Sequence, residues 1–245
     1  MIGHAFHAII YLPIYNALVF FVDHIPTHDI GIAVIIVTFI VRIILWPLSK
    51  RAVKAQMDMK RVAPEIEEIK KKYKDKPEEQ SKAILALYRE RDIHPFAGFL
   101  LLLVQLPILL GLYWVFARGG FPVVHTEYLY TFVAAPPVVN MEFLGLINMA
   151  GHSVVLALIA MLAQLTYTRL SMGPRGSQTP IEAVEQSFSS EMAKSFDLQA
   201  RYVLPLIVGF IGYTVAAAAP LYWATSNLFM IGQEYLAGRR FNPEK

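Results

Sequence analysis

Residues 30–48 read IGIAVIIVTFIVRIILWPL, nineteen positions with a single charge, Arg42, five residues before Pro47. As a helix this run rises about 28 Å, close to the ~30 Å hydrocarbon core of a bilayer. An arginine inside a span costs about 2.5–3.5 kcal/mol on insertion scales, so Arg42 needs a polar home. Thr38 lies one turn earlier on the same helix face. Two homes fit the sequence. In one, the side chain snorkels to the cytoplasmic headgroups, with Trp46 marking that interface. In the other, it faces a wet pocket walled by protein.

Four more apolar blocks surround this one: 96–117, 146–170, 201–217 and 220–236. Only an Ala-rich turn before Pro220 separates the last two, which predicts an antiparallel helical hairpin. The 245 residues are 56% hydrophobic and 17% charged, against roughly 25% charged in ordinary soluble domains. Backbone in lipid must satisfy its own hydrogen bonds, so the blocks are read as helices. The expectation is an all-α polytopic membrane protein with five transmembrane helices.

Charge gives the orientation. Segment 49–95 carries 13 of the 22 Lys and Arg, segment 169–201 carries four and the tail after Leu236 three. The segment before Ile30 has none, and 118–145 has only Arg118. The positive-inside rule places the rich segments in the cytoplasm, with the N-terminus outside and the C-terminus inside. Residues 1–29 then read as an outer-face interfacial helix and loop. Phe6 to Val22 is apolar enough for a sixth span, but Pro13 and Asn16 are expected to interrupt it, and Tyr11 and Tyr15 suit headgroup level.

Segment 49–95 predicts a charged helical hairpin. Pro64 and Pro77 each suit the first turn of a helix, with acidic residues after them and basic residues at the far ends. Ile66, Ile69 and Tyr73 offer one apolar stripe, and Ile84, Leu87 and Tyr88 its partner. Residues 118–145 form an outer loop, 171–200 a flexible cytoplasmic loop and 237–245 a short tail.

Polar residues recur inside the other blocks. Gln105 precedes Pro107, whose kink opens space beside it. Gln164 and Thr168 share a face, as do Trp223 and Asn227. Taken singly, each reads as a helix–helix hydrogen bond worth about 1–2 kcal/mol at most. Taken with Arg42, they point to a water-accessible positive cavity lined by Arg42, Thr38, Gln105, Gln164, Trp223 and Asn227.

The chain has no cysteine. It shows no phosphate loop, zinc-binding helix or nucleophile elbow, and its seven histidines do not cluster beyond pairs near the N-terminus. It is read as a non-enzyme without metal or cofactor. The pI near 9.0 follows the membrane topology and gives no reason to expect nucleic acid. No basic n-region or A-x-A-like cleavage site stands at the start, so a signal peptide is not expected.

Several motifs in this order resemble the YidC family of membrane protein insertases, which has mitochondrial and chloroplast members. They are TFIVRIILWPLSK (38–50), MKRVAPEIEEIKKKYKD (59–75), LYRERDIHPFAG leading into VQLPILLGLYWVF (87–116), RYVLPLI (201–207) and PLYWATSNLFMIGQ (220–233). The resemblance implies five helices around a hydrophilic groove, open to the cytoplasm and sideways to lipid but closed outside. It implies that Arg42 is the groove arginine, that Thr38 and Trp223 contact substrate, that Gln105 lines the groove, and that the 49–95 hairpin recruits clients. The implied partners are nascent membrane proteins and the bilayer, with a Sec-type translocon and the ribosome as further candidates. The implied location is the bacterial inner membrane. Departures are His94, where the family commonly has Asn, the lack of a frequent early proline in the next span, and a short tail, RRFNPEK. The lack of an N-terminal extension reads as a compact bacterial form. Two competing classes use the same features: a small-solute transporter or channel with the same cavity, and an assembly partner acting through the hairpin alone. The first predicts internal inverted symmetry, which the sequence does not show.

Overall fold

The computed structural model describes residues 3–74, 76–94, 97–117, 121–172 and 198–238. Most of the expected loop 171–200 and the tail from residue 239 lie outside the described residues.

The N-terminal segment is one helix, α1 (His4–His24). Proline does not break it. Pro13 lacks the donor that an α-helix would aim at Ile9, and the turn before it widens to a π-turn over His7–Tyr11, closed by Leu12 N–H on the His7 carbonyl. The same device recurs before Pro205, where Gln199–Val203 is a π-turn closed by Leu204 N–H on Gln199. Asn16, the other expected interruption, is buried, and its amide bonds Leu12 O at 2.9 Å and Tyr128 O at 2.8 Å. By length and composition, α1 could cross a membrane. Its buried face (Tyr11, Tyr15, Leu18, Val19, Val22) joins a core with Ile30, Ala33, Val34 and Val37, with Leu112 and Val115, and with Leu221 and Tyr222.

Helix α2 (Ile30–Ile44) ends at Leu45, and α3 (Trp46–Arg61) leaves at a bend of 61°. Pro47 in the first turn of α3 explains the break, since it cannot donate back to Ile43. Beyond it come α4 (Ala63–Lys72), α5 (Pro77–Glu90), α6 (Ala97–Ala117), α7 (Val154–Met172), α8 (Leu204–Thr214) and α9 (Ala218–Leu236). Helix α9 is central. It packs on α7 and α2 and touches α6, while α8 packs on α7. Small residues allow the close approach: a Cβ on Gly212 would sit 3.3 Å from Pro220 Cβ and 3.6 Å from Ala157.

Among the described residues, α1 and α7 are each long and apolar enough to cross a bilayer, and α2 with the start of α3 passes as a bent pair. Leu103–Ala117 and Arg201–Thr214 are shorter apolar helices. Helix α9 is not among these; Thr225, Ser226, Asn227, Gln233 and Glu234 dilute its apolar character.

The block expected at 146–170 begins later, at Val154. Residues 142–148 instead form an antiparallel hairpin, β1 (Glu142–Phe143) with β2 (Ile147–Asn148). Leu144 (φ 53°) and Gly145 (φ 69°) make its left-handed turn. Asn148 Oδ1 then accepts from the Ala150 and Gly151 amides, and Ser153 Oγ accepts from Leu156 N to start α7. The hairpin also binds other segments at this end. Asp29 caps α2 through Gly31 N (2.7 Å) and Ile32 N (3.2 Å), and its second oxygen accepts from Leu144 N at 2.8 Å. Ala217 and Ala218, at the start of α9, donate to Gly151 and Met149.

Helices α4 and α5 form the expected hairpin, with Pro64 and Pro77 in their first turns. Its core is Met59, Val62, Ile66, Ile84, Leu87, Tyr88 and Ile93, with Ile69 against it. Tyr73 is not in this cluster; its ring lies under Lys72 Nζ, 5.4 Å from the centroid.

Candidate functional site

Arg42 is 5% exposed. Its place four residues from Thr38 turns it toward α9, where Nε donates to Ser226 Oγ at 2.6 Å and Nη2 donates to the same oxygen. Ser226 is fully buried. One turn earlier on α9, the Tyr222 hydroxyl bonds Ser226 and accepts from Gln105 Nε2 on α6. A polar chain thus runs Arg42, Ser226, Tyr222, Gln105 across α2, α9 and α6. Pro107 lies two residues beyond Gln105, inside α6.

Two features make this chain chemically open. Among the described residues, no carboxylate forms an ion pair with Arg42. Gln105 Oε1 is buried without a hydrogen-bond partner, a position that favours water or a guest donor. A guanidinium bonded to the neutral Ser226 hydroxyl keeps its attraction for an anion, strengthened where the dielectric is low.

The other expected residues lie elsewhere. Asn227 Nδ2 donates to Gln164 Oε1 at 2.9 Å, and Gln164 Nε2 donates to Thr168 at 3.1 Å, a separate buried cluster between α9 and α7. Trp223 packs against Ala160, Val208 and Ala224. Thr38 is buried and gives its proton to Val34 O at 2.6 Å, on its own helix. A third contact pins α3 to the end of α9, Ser49 Oγ to Gln233 Oε1 at 2.7 Å. By hydrogen bonding the six residues fall into separate groups. Arg42 and Gln105 share a network, Gln164 and Asn227 share another, and α9 stands between them.

Ser226 and Tyr222 escaped the sequence reading. Their signal was the polar run Thr225-Ser226-Asn227 inside an otherwise apolar helix, with Tyr222 at i−4 from Ser226.

Two cavities walled by described residues lie away from Arg42. One, of about 310 Å³, lies on the apolar face of α7 and α8, between Val154, Met161, Leu206 and Tyr213. The other, of about 440 Å³, lies between α3 and the end of α9.

Residues 20–244 match the family model described as 60Kd inner membrane protein. A membrane protein insertase YidC of Clostridium tetani is 31% identical over 86% of this chain and 82% of its own. One of Fusobacterium nucleatum is 31% identical over 84% of this chain and 85% of its own. One of Oleidesulfovibrio alaskensis is 25% identical over 91% of this chain, which spans only 37% of that longer relative. Among solved structures, an active YidC insertase with its first transmembrane domain resolved superposes with a TM-score of 0.56 at 25% identity, over 95% of this chain and 47% of that one. The helical fold, the motif order and these matches agree: the chain belongs to the YidC family of inner-membrane insertases.

Proposed function

We propose that this chain inserts nascent membrane proteins into the bilayer, drawing a short polar flank of each client toward the Arg42–Ser226–Tyr222–Gln105 chain. The observation that carries this reading is a buried guanidinium bonded to the neutral Ser226 hydroxyl, with no carboxylate paired to it among the described residues. An acidic or polar flank entering beside Arg42 meets fixed donors at a depth where bare lipid offers none. The polar chain shortens the hydrocarbon path for that flank. Transfer of the client's apolar segment into lipid then drives release, at roughly 25 cal/mol per Å² of apolar area. No nucleotide or metal enters the scheme.

The same reading puts the 49–95 hairpin in the cytoplasm, where it meets clients first, and the end bearing the 121–153 loops outside. Hydrogen bonds from Asn16 and Asp29 across that end support a closed outer face. Photo-crosslinking from positions 42, 105 and 226 to a stalled nascent client tests the path. Contacts from all three support it, and crosslinks confined to the hairpin would leave only an assembly role. Arg42→Ala should impair insertion of several clients with acidic translocated flanks, while Arg42→Lys retains it. Unchanged insertion of all of them would end the proposal.

A further inference from the structure

The 440 Å³ cavity between α3 and the end of α9 is distinct from the Arg42 chain. Its wall is apolar: Trp46, Val53, Met57 and Leu236. Its rim is basic. Lys50, Lys54 and Arg61 line it with a single carboxylate, Asp58, which pairs with Arg61 at 3.3 Å. Among the described residues, neither lysine has an ion-pair partner. Spacings of three and four along α3 bring Trp46, Lys50, Val53, Lys54 and Met57 to one face.

The surroundings say what kind of molecule fits. Trp46 stacks edge-on against Phe229 at 5.6 Å, and Phe229 against Phe39 at 5.7 Å, so an aromatic seam between α2 and α9 runs into the cavity. Beside it Ile43 and Ile44 are 60% and 68% exposed, and Leu236 is 77% exposed. In a membrane protein, such exposed apolar residues face acyl chains. The cavity lies where that apolar face ends and the lysines begin, just past the Pro47 bend. The occupant must therefore be apolar along its length and anionic at one end.

We propose that this cleft holds an anionic phospholipid, its phosphate on Lys50 and Lys54 and its chains along Trp46, Val53 and Leu236. The bound lipid would wedge between α3 and α9 beside the Ser49–Gln233 contact and so help to set the angle at which the hairpin leaves the membrane. The proposal does not depend on the insertion reading.

Trp46 is the reporter. In a variant whose other tryptophans are replaced (Trp114→Phe, Trp223→Phe), the full chain is reconstituted in phosphatidylcholine vesicles containing brominated phosphatidylglycerol or, at equal mole fraction, brominated phosphatidylcholine. The anionic lipid should quench Trp46 with an apparent affinity more than ~10-fold higher. Each of Lys50→Gln and Lys54→Gln should lower that preference about five-fold, while quenching by phosphatidylcholine stays constant and shows the helix still in place. Equal quenching by the two lipids, or a preference unchanged in the double variant, would overturn the proposal. So would a double variant that loses crosslinks to an acidic client flank but keeps its lipid preference, since the cleft would then serve protein.

Discussion

The Arg42 guanidinium donates from Nε to Ser226 Oγ at 2.6 Å, joining two helices across 184 positions of sequence. The bond answers the question that residues 30–48 raise. Arg42 is 5% exposed and points into the bundle, toward Ser226 on α9. Ser226→Ala should leave this charge without its acceptor and cost about 1–3 kcal/mol of stability. A double-mutant cycle of Arg42→Ala with Ser226→Ala should return a coupling of about 1.5–3 kcal/mol, read by denaturant unfolding in micelles. A coupling near zero would mean that the bond does not form.

The Gln164–Asn227 pair should behave differently. Either Asn227→Leu or Gln164→Leu alone orphans a buried amide and is expected to destabilise by about 0.6–2 kcal/mol. The double variant should recover most of that loss, because both partners become apolar together. Client insertion by the double variant should stay near wild type. A loss of insertion with stability intact would return these residues to the substrate path.

Tyr88 sits in the α4–α5 core, 2% exposed, with its hydroxyl buried and unbonded. Burial pushes its pKa up to about 12. An unfolded tyrosine ionises near 10, so the stabilising contribution of neutral Tyr88 is complete below pH ~10 and falls away as pH rises toward 12. Ultraviolet titration of the tyrosinates should show that Tyr88→Phe removes one late-titrating group from the profile of the unsubstituted chain. That variant should match or exceed wild-type thermal stability, since it removes an unpaired polar atom.

Asp29 binds three amides from two segments. Asp29→Ala should cost about 0.5–2 kcal/mol for the lost cap alone and speed hydrogen exchange at Gly31, Ile32 and Leu144 together. Asp29→Asn should affect Leu144 most, since an amide offers one acceptor oxygen where the carboxylate offers two. Beside it, a Cβ on Gly31 would overlap Phe143 Cδ2 and sit 2.7 Å from Phe143 Cβ. Gly31→Ala is therefore expected to cost about 1–3 kcal/mol by overpacking, and Phe143→Ala in the same chain should relieve much of it. Exchange at Leu144 unchanged in Asp29→Ala would refute this linkage.

What the sequence revealed depended on periodicity and charge, and what it hid depended on partners. The Arg42 run, the hairpin with its two prolines and the helical class were readable, because span length and the 3.6-residue pattern are local. Val154 as the start of α7 was not: Leu146 and Ile147 are apolar enough to extend the block, and only the pairing of Phe143 with Ile147 and the Ser153 cap show that they belong to a β-hairpin that precedes the helix. Pro13 and Asn16 looked like breaks because a π-turn and the distant Tyr128 carbonyl leave no local trace. Six polar residues at similar depth suggested one cavity; which side of α9 each would meet is a property of packing. Tyr73 failed for the same reason, since its place on the stripe did not ensure a facing neighbour.

Neighbouring residues on an α-helix point roughly 100° apart. Ser226 and Asn227 are neighbours, and each is bonded to a different helix, α2 through Arg42 and α7 through Gln164. Apolar contact with lipid tails scarcely distinguishes one azimuth of a helix from another, because the tails are as apolar as leucine. The two adjacent bonds do distinguish them. Rolling α9 about its own axis in either direction stretches one of them, so its azimuth is locked by two consecutive side chains, and a substitution at either releases a degree of freedom that neighbouring apolar contacts do little to restrain.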